Sequence, residues 1–156
     1  MAFIPKDARW YLAEIVLEYL VERDARNVVH VNRHLIAADS PERAFEKAQA
    51  IGHDHEHEYA NTEHRNVRVV FRGLAQLLVI HDDLGDGAEL SYQESIGVPE
   101  DRLREWAVPK EQLAVFAPIA KPANVIPNYM PESVAVELEE AGYRREDFDP
   151  SFDKAE

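Results

Sequence analysis

The chain has 156 residues, 46% of them apolar, and a formal net charge of −13 from 17 basic and 30 acidic side chains. That length sets the expectation of one domain with a sizeable core, and the apolar share is too high for a disordered chain. The acidic balance opposes nucleic acid and anionic membrane as partners, since both need a basic footprint, but it suits a basic protein.

Other classes fall away on composition. There are no cysteines, hence no disulfides, thiolate zinc sites or cysteine nucleophile. No apolar run reaches the roughly 18 residues of a membrane span. The opening MAFIPKDARWY lacks a signal peptide's basic start and apolar core, so a cytoplasmic location is the expectation. No P-loop, GxGxxG or Ser-His-Asp order is present, which leaves nucleotide hydrolysis and dinucleotide binding without support.

Taken in order, Trp10 to Glu22 alternates Tyr11, Ala13, Ile15, Leu17, Tyr19 and Val21 on one face. Glu14, Glu18 and Glu22 recur every four residues and would suit a helix equally, but the Tyr, Val and Ile content favours a strand. Arg23 to Asn27 reads as a turn, and Val28 to Ala38 as a second strand. Val29, Val31, Leu35 and Ala37 share one of its faces, and His30, Asn32 and His34 the other. The short link argues for an antiparallel hairpin.

The clearest helix runs from Asp39 toward Asn61. Ser40 is an N-cap, Pro41 fits the first helical position and Glu42 suits the helix dipole. Ala44, Ala48, Ile51 or Gly52, His55 and Tyr59 follow at helical spacing. Gly52 either ends the helix or marks a close approach to the sheet; a mid-helix Gly costs roughly 1 kcal/mol against Ala. Val67 to His81 is a third strand, with Gly73 as a bulge or bend. In it, Val67, Val69, Phe71, Ala75, Leu77 and Val79 form one face, and the even-numbered residues, Leu74 among them, the other. Asp82 to Gly87 reads as a turn and Ala88 to Ile96 as a fourth strand. Val98–Trp106 and Val108–Phe116 echo one another as short helix starts after Pro. Ala117 to Pro131, with four prolines, reads as an extended linker. A short helix over Pro131 to Ala141 ends at Gly142, and the residues after it read as loosely held.

From Trp10 to about Ser95 the sequence resembles a bacterial family known as domain of unknown function 4288. The residues that carry the resemblance are Trp10-Tyr11-x-Ala13, Ala38-Asp39-Ser40, Ala44, Ala48, Gly52, Tyr59-x-Asn61, Phe71, Gly73-Leu74 and Asp86-Gly87-x-Glu89. The family's usual Gly near positions 63–65 is absent, since Thr62, Glu63, His64 and Arg65 stand there, and a different turn is expected. The resemblance implies a ββαββ order and no activity.

The expected architecture is therefore α+β. It has a four-stranded, mostly antiparallel sheet in ββαββ order, with one long helix on one face and a partly helical C-terminal extension. Residues 1–97 would form the core domain, and 98–156 an extension with short helices and an acidic tail. One helix covers one side only. Val16, Leu20, Val70, Leu74 and Leu78 would then need cover from Trp106, Phe116 and Leu138, or from a second subunit.

Three groups could carry chemistry. His53, His55, His57 and His64 hold four of the seven histidines, and on a helix His53 and His57 would lie one turn apart, as in HExxH. Asp54 stands where that motif needs Glu, so a solvated helix end, with adventitious zinc or nickel binding and no native cofactor, is the competing reading. Glu14, Glu18, His30, Asn32, His34, Arg68, Arg72 and Gln76 could gather on the sheet face opposite the helix for anion binding or acid–base work; cross-strand ion pairing is the plainer alternative. Asp82, Asp83, Asp86 and Glu89 fail the spacing of a calcium loop and suit a hairpin turn. Finally, Tyr143, Phe148 and Phe152 interleave with the nine acidic side chains of residues 131–156 and could dock a basic partner, or serve only as a solubilising tail. The leading expectation is a non-enzymatic interaction protein of inhibitor or immunity type, monomeric or homodimeric. The alternative is a metal-dependent or acid–base enzyme.

Overall fold

A computed structural model describes residues 3–119 and 126–152. The elements run β1 (Trp10–Val21), β2 (Asn27–Ala37), α1 (Pro41–Asp54), β3 (His57–Ala60), β4 (Asn66–Val79), α2 (Glu100–Trp106), a 3-10 turn (Lys110–Gln112), α3 (Glu132–Glu140) and α4 (Arg145–Phe148). The sheet order is β2-β1-β4-β3, with every pairing antiparallel.

Trp10 to Val21 is a strand, because its odd-numbered side chains meet one continuous core. Ala13, Ile15 and Leu17 are fully buried there with Ala44 and Ala48 of α1. Ser40 caps α1 by accepting the Arg43 N–H at 3.2 Å, with Pro41 behind it. Ala44, Ala48 and Gly52 form the buried stripe of this helix. Gly52 resolves its two readings in favour of close approach: a Cβ there would overlap the Phe71 ring.

α1 stops at Asp54, seven residues short of Asn61. His55 caps it through its own N–H, and β3 begins at His57. Glu56 explains the early exit. Its carboxylate accepts the Phe71 N–H of β4 at 3.1 Å and sits 3.2 Å from His53 Nδ1, so the chain leaves the helix to satisfy a strand-edge donor. Tyr59 therefore belongs to β3 and not to the helix stripe. The turn at Thr62–Arg65 contains His64 at φ 61°, the left-handed conformation that Gly adopts readily.

β4 carries two bulges, which skip Ala75 and Arg72 in its pairing with β1. Gly73, at φ 125°, lies between them. Each extra residue reverses the inward–outward alternation. Val67, Val69 and Phe71 face α1, then Leu74, then Leu77 and Val79. Leu74 thus packs on the helix side, correcting its expected place on the opposite face. The expected strand at 88–96 is not one. Asp82 accepts the Glu89 N–H in the preceding loop, and Leu90 shares a cavity with Leu12 and Leu35 on the sheet's other face.

The C-terminal segment does not cover that other face. Trp106 and Phe116 are each more than half exposed. Residues 126–152 instead dock on the helix side, where Tyr129 packs on Tyr19 and His30, and beside β3, where Asn61 bridges Pro131. Gly142, at φ 94°, ends α3 with paired N–H bonds from Gly142 and Tyr143 to Glu139 and Leu138.

Candidate functional site

The four histidines of the His-rich segment do not converge. His53 lies in the last turn of α1 and packs edge-on against Phe71 with ring centroids 4.9 Å apart. His55 lies 5.4 Å from His34 by the same measure. His57 is in β3, where its Nδ1 is 2.8 Å from the His55 carbonyl and its ring lies against Tyr59. His64 is in the next turn. The helical spacing expected for His53 and His57 fails because the helix ends between them. Among the described residues, no group of three His, Cys, Asp or Glu side chains is placed to hold a metal ion.

The proposed polar sheet face divides in two. Cross-strand partners share a face, and His30 and His34 pair with Leu17 and Ala13, so both point to the helix side. Asn32 goes with them. Glu14 and Glu18 point the other way, with Arg68 and Gln76. Glu14 meets Arg33 at 3.0 Å, the plain ion pair, and Glu18 accepts from Asn27. Arg72 is an unpaired bulge residue. Burial, with His55 adding to it, lowers the His34 pKa below the ordinary imidazole value.

Of the three aromatic docking candidates, Phe148 is 1% exposed and is the largest fully buried side chain among the described residues, so it anchors the chain's own fold. Tyr143 and Phe152 stay about half exposed. Up to residue 152 the acidic segment is tied down, and its last four residues lie outside the described ones. Asp149, also buried, accepts from the Thr62 hydroxyl at 3.0 Å and from the Ser151 N–H at 2.8 Å. Arg145 bridges Glu132, Glu139 and Asp149. Asn61, equally buried, donates to the Asn128 carbonyl and accepts the Glu63 and Arg65 N–H groups, so that no polar atom is stranded.

The remaining open sheet face is apolar along β2. Val29, Val31 and Leu35 are 49%, 43% and 48% exposed. They share one face of β2 with Arg33, and stand opposite Glu18, Val16 and Leu12 of β1. Glu18 lies on the face itself, and Asp82 and Glu89 share the cavities that Leu90 forms with Leu78, Leu12 and Leu35 at its end. β2 is also a free edge of the sheet.

Two concavities lie elsewhere. One, of about 420 Å³, is walled by Tyr19, Tyr59, Tyr129 and His57 with Met130, Val134 and three prolines. The Tyr59 hydroxyl donates to the Tyr129 carbonyl, and burial, with Tyr19 and Tyr129 adding to it, pushes the Tyr59 phenol well above its usual range. The other is an open cleft of about 610 Å³ between the N-terminal segment and α1, lined by Lys6, Arg9, Arg43 and Lys47 together with Asp7, Asp39 and Trp10. Sequence reasoning missed both. Arg43 and Lys47, one helical turn apart, were the available signal for the second.

No curated protein and no solved structure matches the chain. The family model described as Domain of unknown function (DUF4288) matches residues 10–92, from the first residue of β1 through the loop that covers Leu12. With more than half of its length matched, the chain belongs to the DUF4288 family.

Proposed function

We propose that the chain is a non-catalytic interaction module that docks a basic partner through the open face of its sheet, in the manner of an inhibitor or immunity protein. One observation carries this reading. Val29, Val31 and Leu35 are exposed apolar residues on one face of a free edge strand, with Val16 and Val70 beside them, the Arg33–Glu14 ion pair between Val31 and Leu35, and carboxylates at the border. An apolar centre with a charged rim is the usual anatomy of a docking patch. The chain's net charge of −13 would steer a basic surface toward it. The same reading places the module in the cytoplasm, as a monomer or homodimer. The competing enzyme reading loses geometry it needed, because His53 and His57 fall on different elements and His30 and His34 face away from Glu14 and Glu18.

A photo-crosslinking residue in place of Val31, expressed in the native host, should capture a basic protein, while the same group at the exposed Ala50 of α1 should not. Capture should fall with salt and with Leu35→Asp in the same chain. Identical products from both positions, or only a self-adduct from Val31, would overturn the reading.

A further inference from the structure

We propose that the cleft between the N-terminal segment and α1 binds a phosphate-bearing small molecule. Four of the chain's 17 basic side chains line this one concavity, against two carboxylates, in a protein of net charge −13. Most arginines outside it are committed to carboxylates: Arg26 to Asp24, Arg33 to Glu14, Arg104 to Glu100, Arg144 to Asp147 and Arg145 to Glu132. Among the described residues of the cleft, only Arg43 is committed in this way. Arg43 is steadied by Glu46, and Lys47 by the Ala37 carbonyl at 2.6 Å, both without leaving the cleft wall. The Lys6 and Arg9 side chains make no hydrogen bond or ion pair among the described residues. Cations gathered with too few counter-charges repel one another, and an entering oxyanion relieves that repulsion while gaining charge-assisted hydrogen bonds.

Two further features define the ligand. Asp39 and Ala38, which lead directly into the N-terminus of the 14-residue α1, form part of the wall, so the positive end of that helix dipole adds to the same field. The volume exceeds what a bare phosphate fills and falls within the range of small-molecule sites. Half-buried Trp10 also lines the cleft. A long polyanion is disfavoured, because beyond the cleft it meets the field of an acidic protein. The fit is to an organic phosphate of mononucleotide size.

Trp10 also provides the readout. The chain has two tryptophans, so Trp106→Phe leaves Trp10 as the sole indole. Titrating that protein at low salt with AMP and, separately, with pyrophosphate should give a saturable change in its emission. Arg9→Gln should weaken binding about tenfold, and Lys6→Gln in addition should weaken it further. Neither side chain has a hydrogen-bond or ion-pair partner among the described residues, so these variants should keep the parent's far-UV circular dichroism. AMP binding at least as tightly as pyrophosphate supports an organic phosphate of mononucleotide size, and saturation by pyrophosphate alone overturns that assignment. Failure of both ligands to saturate, or saturation unchanged in the doubly substituted protein, overturns the proposal.

Discussion

Replacing Phe148 with Ala separates a docking side chain from a structural one. Phe148 is 1% exposed, whereas Phe152, four residues on, is 46% exposed. Truncating a buried Phe to Ala costs about 3–5 kcal/mol. The polar links that hold the same segment, Asn61 to Asn128 and Thr62 to Asp149, contribute about 1 kcal/mol each and cannot replace that loss. For a chain of this size each kcal/mol shifts the melting temperature by about 2–4 °C, so cooperative unfolding should begin about 6–20 °C lower. If residues 126–152 open on their own, the main transition moves less, and cleavage within that segment accelerates instead. Calorimetry with limited proteolysis reads both outcomes. Phe152→Ala should stay within about 1 kcal/mol of the parent by either measure. A Phe148→Ala protein that melts and is cleaved like the parent, or a Phe152→Ala protein equally damaged, would refute the assignment of Phe148 to the core.

Two further substitutions test the helix face of the sheet. Gly52→Ala gains about 1 kcal/mol in helix propensity but forces a methyl into the Phe71 ring, whose Cζ would lie 2.6 Å from it, an overpacking cost of about 1–3 kcal/mol. The expected result in urea denaturation is a net loss, recovered by Phe71→Leu; a simple gain would show that the helix does not lie this close. The His34 pKa is lowered in the fold, so on acidification the unfolded chain takes up this proton first. The stability it confers is present above about pH 6.5 and is lost as the pH falls below that value. His34→Gln should flatten the fall of melting temperature below that pH, and an unchanged slope would rule His34 out as its source.

Where apolar residues recurred at a fixed spacing, the sequence was readable. β1, β2, the start of α1 and its Ala44–Ala48–Gly52 stripe follow from alternation, a Ser-Pro cap and small residues at helical intervals. The failures have separate physical causes. β3 is four residues long, and its half-buried Tyr59 continues the helical spacing of α1, so the Glu56 contact to the Phe71 N–H is what shows where the helix ends. Leu74 was misplaced because a bulge is silent in a binary pattern, and Gly73 flagged the bend without its parity. Leu90 turns onto Leu12 and Leu35 instead of extending the sheet, a choice set by the uncovered face and not by local propensity. Residues 143–152 looked like a solvated tail because their charge conceals Phe148, and the polar partners of Asp149 lie far away in sequence, at Thr62. Of the cationic cleft, only the Arg43–Lys47 pair was legible, since Lys6 and Arg9 reach it through the fold.

The two bulges of β4 have a consequence for the shape of the molecule. Between Val67 and Val79, thirteen residues of β4 run beside only eleven of β1. At about 3.4 Å per residue, one margin of that ribbon is about 7 Å longer than the other over the same rungs. A ribbon with unequal margins cannot lie flat, and it sheds the excess as bend and added twist. The curvature is concentrated on the β4 side, whereas the pairing of β2 with β1 runs unbroken from Trp10 to Leu20.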